Sequence, residues 1–260
     1  MLLTSVIIVL REVLEASLLL SILLALSRLQ SMRMHWWLYS AAAIGLAGAV
    51  GYGLAMPAIS TALDGVGQEV VNSALQFGVY ICLLWLCHSF IRSYFTGGPV
   101  SFWQSVGMSL VVILATIREG SEIFIYLSGF WYVSDARQSV GTGALIGSGI
   151  GFGVGALFYY LLAIINRGRA LWLGCVLLAF VGAGMCLQST QLLIQADWLP
   201  AHYPIWDSSS LLSESSVPGQ LLYALVGYET QPTALQLTIY LSSLVLMALI
   251  LVHSYRSYRK

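Results

Sequence analysis

Long apolar runs, separated by short polar connections, dominate the pattern along the 260-residue chain. Because the hydrocarbon core of a bilayer is about 30 Å thick, a helix that crosses it needs roughly 20 apolar residues. Seven runs are long enough, at about residues 2–27, 37–58, 70–91, 103–130, 141–165, 171–195 and 233–253. The pattern therefore predicts an all-α, polytopic membrane protein with seven transmembrane helices, forming a single transmembrane domain over residues 1–260.

The composition agrees with this fold class and excludes others. Hydrophobic residues make up 58% of the chain and charged residues only 8%, whereas soluble domains carry about 25% charged residues. The 11 basic and 11 acidic residues balance, which argues against a nucleic-acid partner. All four cysteines lie within apolar runs and none forms a CxxC pair, so a disulfide framework or a zinc site is not expected. The expected surroundings are a lipid bilayer.

The charges in the connections predict an orientation. Eight basic residues follow the odd-numbered spans: Arg28, Arg33, Arg92, Arg167, Arg169, Arg256, Arg259 and Lys260. The opposite side carries Arg137 and seven carboxylates: Asp64, Glu69, Asp135, Asp197, Asp207, Glu214 and Glu229. Because Lys and Arg mark the cytoplasmic side, we expect the N-terminus outside and the C-terminus inside a cytoplasmic (inner) membrane.

The first six spans form two related triplets, repeat one at 1–92 and repeat two at 103–195. The motif Arg11-Glu12-x-x-Glu15 returns as Arg118-Glu119-x-x-Glu122, 107 positions later. Because each triplet has an odd number of spans, the second must be inverted relative to the first. This predicts a 3+3 inverted repeat plus one C-terminal helix at 233–253, an architecture typical of transporters with a site at the midplane.

Small residues support the repeat. They recur every fourth position in spans two and five, offset by 102 positions: Gly45, Ala49 and Gly53, then Gly147, Gly151 and Gly155. Gly78 and Cys82 of span three return at an offset of 104 as Gly182 and Cys186. Small residues at this spacing also let helices approach closely in lipid, and we expect the glycines to serve that packing.

Six ionisable side chains lie deep within the spans, and they form the two R-E-x-x-E motifs. At about 100° per residue, the arginine and both glutamates of a motif share one helix face, roughly 14–22 Å deep. A charge at that depth is costly and is kept only where it forms an ion pair or takes part in function. Two arginine–glutamate pairs would leave a net charge of −2, which calls for a metal ion or protons. A purely structural ion pair is the alternative.

The type of ligand narrows the choice of ion. Oxygen ligands without thiolate or imidazole favour hard cations, although carboxylates alone do not separate iron from manganese, magnesium or calcium. The histidines, His35, His88, His202 and His253, fall at or beyond the span ends. The spans contain neither HExxH nor a serine–histidine pair at depth nor paired midplane histidines. We therefore expect neither an enzyme nor a resident prosthetic group.

The doubled motif, in full Arg11-Glu12-Val13-Leu14-Glu15 and Arg118-Glu119-Gly120-Ser121-Glu122, resembles the iron permease family. That family includes the fungal oxidase-coupled high-affinity iron permeases and the bacterial EfeU-type permeases. Further similarity lies in Asp64-Gly65-x-Gly67-Gln68-Glu69 and between Trp206-Asp207 and Gly227-Tyr228. The resemblance implies iron uptake, with iron as the transported ion and Glu12, Glu15, Glu119 and Glu122 as its ligands. Arg11 and Arg118 would support that site. Any extracytoplasmic oxidase, peroxidase or iron-binding partner would be a separate chain, with the absence of such a partner as the alternative.

The longest connection, the outer loop at 196–232, exceeds the roughly 15 residues beyond which loops tend to be functional lids or disordered. We expect it to form an ordered, partly re-entrant cap. Four carboxylates outside the spans are candidates for first capture of a cation, with ordinary solvated residues as the alternative: Asp64, Glu69, Asp207 and Glu214. The sequence thus predicts an iron permease, or alternatively a transporter or proton-coupled exchanger of another hard divalent cation such as manganese.

Overall fold

The structure, a computed structural model, describes residues 1–30, 36–97, 101–130 and 133–258, without the side chains of Ser134 and Asp135. Some residues used in the sequence predictions lie outside the described residues: Ser31, Arg33, His35, Arg259, Lys260 and the side chain of Asp135.

The described residues form eight α-helices and no β-strand. The helices are α1 Leu2–Leu29, α2 Trp36–Thr61, α3 Gly67–Thr96, α4 Phe102–Gly129, α5 Ser134–Ile164, α6 Arg167–Gln195, α7 Val217–Val226 and α8 Ala234–Tyr258. A short 3₁₀-helix, Leu63–Gly65, precedes α3. Each of the seven long helices overlaps one predicted span, and α7 lies in the predicted outer loop. The all-α prediction is confirmed.

Five of these helices are long and apolar enough to cross a membrane, namely α2, α3, α5, α6 and α8. The helices α1 and α4 carry the R-E-x-x-E motifs. The three charged side chains of each motif offset the apolar character of the rest of its helix. The described part of the chain therefore contains five candidate spans by length and composition, and two further long helices that hold its buried charges.

Helix pairing is reciprocal between the two triplets. The most extensive contacts join α1 to α5, α2 to α4 and α3 to α6. A Cβ atom added at Gly147 of α5 would lie 2.6 Å from the Val6 carbonyl oxygen of α1, and one at Gly45 of α2 would lie 2.8 Å from Cβ of Thr116 of α4. These glycines thus allow the close helix contacts that their spacing predicts. Each glycine-rich helix packs against the first helix of the other triplet.

The bundle has a long-loop end, where the chain from 196 to 233 lies, and an opposite end. Between the motifs and the opposite end, a continuous apolar core fills the space between α1, α3, α4 and α6, with Leu26, Leu83, Phe90, Met108 and Leu178 fully buried. Exposed apolar side chains lie on the peripheral helices, for example Leu54 of α2, Phe152 of α5 and Leu249 of α8. Lipid would contact these side chains.

The helix α7 packs against α1 and α6 rather than lying on the surface of the bundle. The Ser216 hydroxyl caps its start by accepting a hydrogen bond from the Gly219 amide, 3.1 Å away. It ends at Gly227, whose φ of 66° is left-handed and suits glycine. Gly227 packs directly on Gly184, near the middle of α6. The chain therefore reaches well into the bundle here, as expected of a re-entrant cap.

Candidate metal site

Three of the four predicted glutamate ligands meet where α1 crosses α4. Carboxylate oxygens of Glu12, Glu15 and Glu119 all lie within 4.8 Å of one another. These residues are 5%, 4% and 1% exposed. Helical periodicity explains the arrangement, because it turns both glutamates of α1 to the face that packs against Glu119 of α4. We call these three residues the glutamate cluster.

Arg118 links the cluster to the fourth glutamate. Its Nη1 atom donates to Glu15 Oε2 across the helix interface at 3.1 Å and to Glu119 Oε1 on its own helix. Its Nε atom lies 3.5 Å from Glu122 Oε1. The sequence predicted only pairs within each motif, and the cross-helix contact to Glu15 was missed. Since Glu15 and Glu122 contact the same guanidinium, the two motifs form one connected network.

Arg11 occupies a different environment. Its Nε atom lies 3.6 Å from Glu15 Oε1, which is the predicted pair within the first motif. Its Nη2 atom donates to the Tyr223 hydroxyl of α7 at 2.5 Å, and its guanidinium carbon lies 4.3 Å from the centre of the Tyr223 ring. The Arg11 side chain is 42% exposed, whereas that of Arg118 is 8% exposed.

The glutamate cluster has the oxygens that a hard cation requires. Three buried carboxylate oxygens have no hydrogen-bond partner: Glu12 Oε2, Glu15 Oε1 and Glu119 Oε2. Oxygen ligands bind hard divalent cations at about 2.0–2.6 Å, so oxygens on opposite sides of one ion lie roughly 4–5 Å apart. The observed separations fit a single ion. With all three carboxylates ionised, they and Arg118 sum to a net charge of −2, which a divalent cation would balance.

A polar cavity of about 510 Å³, here called the vestibule, lies beside the cluster toward the long-loop end. It is lined by Arg11, Gln68, Asn72, Arg118, Glu122, Ile125, Tyr126, Gln188, Gln191, Leu192, Gln195 and Tyr223. Glu122 therefore faces the vestibule instead of joining the cluster, and its side chain is 31% exposed. The Asn72 amide lies 3.5 Å from Glu122 Oε1.

Buried amides support the cluster, and the sequence analysis missed them. The Gln188 amide donates to Glu15 Oε2 at 3.2 Å, and its oxygen accepts from the Gln76 amide at 2.5 Å. Gln76 and Gln188 are almost fully buried. The available signal was an uncharged amide inside an apolar span, since a polar group there must find a partner. The sequence analysis weighed only ionisable groups and therefore overlooked these residues.

A second, mainly apolar cavity of about 240 Å³ lies on the other side of Glu12 and Glu119. Its remaining lining comes from α1, α2, α4 and α5, including Leu19, Leu46 and Val112. Beyond it, the apolar core described above fills the bundle. The vestibule reaches the cluster through Arg118 and Gln188, which both donate hydrogen bonds to Glu15, whereas Glu12 and Glu119 line the apolar cavity.

The predicted capture carboxylates do not share one environment. Asp207 accepts hydrogen bonds from the Ser209 backbone amide at 2.9 Å and from the Gln231 side chain at 2.8 Å. Hydrogen bonding from the side chain of Ser209, together with these two bonds, holds the pKa of Asp207 below its ordinary value. Glu214 accepts from the backbone and the hydroxyl of Thr230 at 2.6 and 2.7 Å. Both residues thus shape the long loop, a role that the sequence did not predict.

The other two capture candidates lie near the start of α3. Asp64 is exposed, with a left-handed φ of 61° in the 3₁₀-helix. Glu69 is half-buried in the first turn of α3, and its Oε2 atom is buried without a hydrogen-bond partner. It follows Gln68, which lines the vestibule. Of the four candidates, Glu69 is therefore the one next to a vestibule residue in the sequence. It also has an acceptor oxygen without a hydrogen-bond partner.

A further carboxylate, Glu229, lies between α7 and α8. The side-chain amide of Gln236 donates to both of its oxygens, at 3.2 and 3.0 Å. Burial raises the pKa of Glu229 to about 7, and the hydrogen bonds from Gln236 partly oppose that rise. The sequence analysis counted Glu229 only as one of the acidic residues on the outer side.

A bundle of long apolar helices around a buried cluster of carboxylate oxygens is what a cation permease requires. Residues 2–259 match the model of the Iron permease FTR1 family, and the chain therefore belongs to that family. It is 24% identical over 257 residues to the ferrous iron permease EfeU of Escherichia coli O6:H1, covering 92% of this chain and 91% of that one. No solved structure matches the chain. The resemblance inferred from the motifs is confirmed, and the chain is a multi-pass membrane transport protein for iron.

Proposed function

We propose that this protein carries ferrous iron into the cell across the cytoplasmic membrane, with Glu12, Glu15 and Glu119 as ligands of the ion at the midplane. The observation that carries the proposal is the glutamate cluster, whose three carboxylates are almost fully buried and offer oxygens within 4.8 Å of one another. Such a group is too costly to keep in a bilayer without a cation partner. Glu122, which lines the vestibule, would pass the ion on to the cluster.

Two observations favour ferrous iron. The net charge of −2 on the cluster with Arg118 balances a divalent ion without adding excess charge to the bundle. The relative described above is by name a ferrous iron permease. Manganese would satisfy the same oxygens, but the family match and the relative both favour iron. Iron is here the transported substrate, and no resident prosthetic group is proposed.

The direction of transport follows from the proposed orientation. The opposite end carries Arg28, Arg92, Arg167, Arg169 and Arg256, and such a concentration of arginine marks the cytoplasmic side. The vestibule then opens to the outside, where Glu69 is the favoured residue for first capture. The remaining capture candidates, Asp64, Asp207 and Glu214, would contribute negative potential around the mouth. Any oxidase, peroxidase or iron-binding partner on that side is proposed to be a separate chain.

The helix packing supports seven spans and an inverted repeat. Exchanging α1 with α4, α2 with α5 and α3 with α6 converts the α1–α5 contact into the α4–α2 contact and leaves the α3–α6 contact unchanged. A pseudo-twofold axis through the motifs would have this effect. Since α1 and α4 pack along α5 and α2 over several turns, they would cross the bilayer with them.

Uptake of radioactive iron into proteoliposomes that contain only this chain tests the proposal. Ferrous iron should enter, and the double variant Glu12→Gln, Glu119→Gln should reduce uptake at least tenfold, because an amide keeps the size but loses the charge that a hard cation needs. Asp197→Asn is a matched control, since Asp197 is exposed and its φ of 56° suits asparagine. Near-native uptake by the double variant would contradict the proposal, and inhibition by manganese as strong as by iron would favour the alternative cation.

A further inference from the structure

The two R-E-x-x-E motifs have the same residue pattern but different contacts, and the difference originates outside the repeats. Arg118 contacts three glutamates, and its side chain is 8% exposed. Among the described residues, Glu15 is the carboxylate partner of Arg11, at 3.6 Å, a distance too long for a hydrogen bond. The buried Nε atoms of both arginines have no hydrogen-bond partner, so the difference lies in their Nη atoms, which donate to Tyr223 in Arg11 and to Glu15 and Glu119 in Arg118.

The strongest contact of Arg11 is with Tyr223 of α7. The hydroxyl accepts a hydrogen bond from Nη2 at 2.5 Å, and the ring lies 4.3 Å from the guanidinium carbon, within the range of a cation–π interaction. Tyr223 is 8% exposed, because α7 packs between α1 and α6. Since α7 follows the second triplet, Arg118 has no equivalent of Tyr223 within the proposed repeat.

The charge of the cluster depends on where Arg11 points. With Arg118 alone, the three carboxylates sum to −2. The Arg11 guanidinium could instead turn inward and hydrogen-bond with Glu12 and Glu15. The net charge would then change from −2 to −1, and the free oxygens Glu12 Oε2 and Glu15 Oε1 would be occupied. The cluster would then attract a divalent ion less strongly and offer it fewer ligands.

We propose that Tyr223 is a positioning residue that holds Arg11 at the vestibule wall, so that Glu12 and Glu15 keep free oxygens for a divalent cation. This inference rests on the proposed function of the glutamate cluster. The hydroxyl of Tyr223 accepts its hydrogen bond from Arg11. Tyr223 acts through Arg11, by offering the guanidinium a hydroxyl acceptor and an aromatic face in place of the carboxylates.

Calorimetric titration of Fe²⁺ into the purified full-length protein in detergent, under reducing conditions, measures this effect. Tyr223→Phe keeps the ring but removes the acceptor, so Arg11 should turn toward the carboxylates and the Kd for Fe²⁺ should rise about tenfold. In proteoliposomes, the KM for iron should rise similarly with little change in maximal rate. In an Arg11→Gln background, Tyr223→Phe should change neither value, because the two residues act as one unit.

Tyr228→Phe is the matched control. It also removes a tyrosine hydroxyl from the long loop, one that donates to the Leu212 carbonyl at 3.1 Å, and it should leave the Kd unchanged. A native Kd in Tyr223→Phe, or an equal rise of Kd in the Arg11→Gln background, would overturn the inference. If instead the Glu12→Gln, Glu119→Gln variant binds Fe²⁺ like the native protein, the proposed function itself fails. The two failures are therefore distinguishable.

Discussion

At the scale of single residues, the site depends on which buried charges find partners. Arg118 lies amid Glu15, Glu119 and Glu122 with an 8% exposed side chain. Arg11 lies at the vestibule with a 42% exposed side chain. The sequence makes the two arginines equivalent, since each is followed by the same E-x-x-E pattern. Their energetic roles nevertheless differ, because the effect of an ion pair depends on the burial of its members.

Removing the two arginines should therefore have unequal effects. Arg118→Leu leaves three carboxylates close together without a counter-cation, and breaking a buried pair costs about 3–5 kcal/mol. Arg11→Leu should cost less, because the Arg11 side chain is 42% exposed and its Nε atom lies 3.6 Å from Glu15 without a hydrogen bond. Thermal unfolding of the purified variants should show a much lower midpoint for Arg118→Leu than for Arg11→Leu. Added Fe²⁺ should recover more of the loss in Arg118→Leu, since it replaces the missing positive charge, and Arg118→Lys should be intermediate. Equal losses in the two leucine variants would contradict this ranking.

At the scale of helices, hydropathy predicts the number and the length of the long helices well, because bilayer thickness fixes the length of a span. The long helices α1, α4 and α6 begin and end within a few residues of the predicted runs. The helix α7 was not predicted as a helix, since its ten residues are too few to span a bilayer and their stability comes from packing on α1 and α6. The pairing of α1 with α5 was not predicted either. It depends on which surface fits the glycine face of α5, and spacing alone does not specify that surface.

The segment between α7 and α8 should give the protein a pH-dependent stability. Burial raises the pKa of Glu229 to about 7 from an ordinary value of 4.5. The folded protein therefore holds this proton more tightly than the unfolded chain, so stability should fall as the pH rises from about 4.5 to about 7 and level off above that. Glu229→Gln should flatten this part of the dependence, measured as the thermal midpoint in detergent between about pH 5 and 8.

The Asp207→Asn variant is a suitable control for this measurement. Hydrogen bonds hold the pKa of Asp207 below its ordinary value of 3.8, so its titration lies below the tested range. Its variant should keep the native slope between about pH 5 and 8. If Glu229→Gln retained that same slope, other groups would have to account for it, and the assigned pKa of Glu229 would be wrong.

At the scale of the whole molecule, the inverted repeat predicted from the sequence also determines how the two motifs can meet. An odd number of spans in each triplet requires the second triplet to be inverted, and the inversion brings the motifs of α1 and α4 together from opposite directions. The meeting of Glu12 and Glu15 with Glu119 is consistent with that logic. The position of Glu122 outside the cluster was beyond sequence reasoning, since the symmetric motif gives Glu15 and Glu122 the same role. The contact of Arg11 with Tyr223 breaks the symmetry, because α7 follows the second triplet and belongs to neither repeat.

The proposed orientation places the long-loop end outside, and it follows from charge alone, so it needs an independent test. Ser209 in the long loop and Asn166 between α5 and α6 are both exposed and lie at opposite ends of the bundle. A membrane-impermeant thiol reagent applied to intact cells should react with Ser209→Cys and leave Asn166→Cys unmodified until the cells are opened. The native chain is the background control, because three of its four cysteines are buried and Cys82 is half-buried. Labelling of Asn166→Cys in intact cells would place the arginine-rich end outside. The vestibule would then face the cytoplasm, and the same site would serve export rather than uptake.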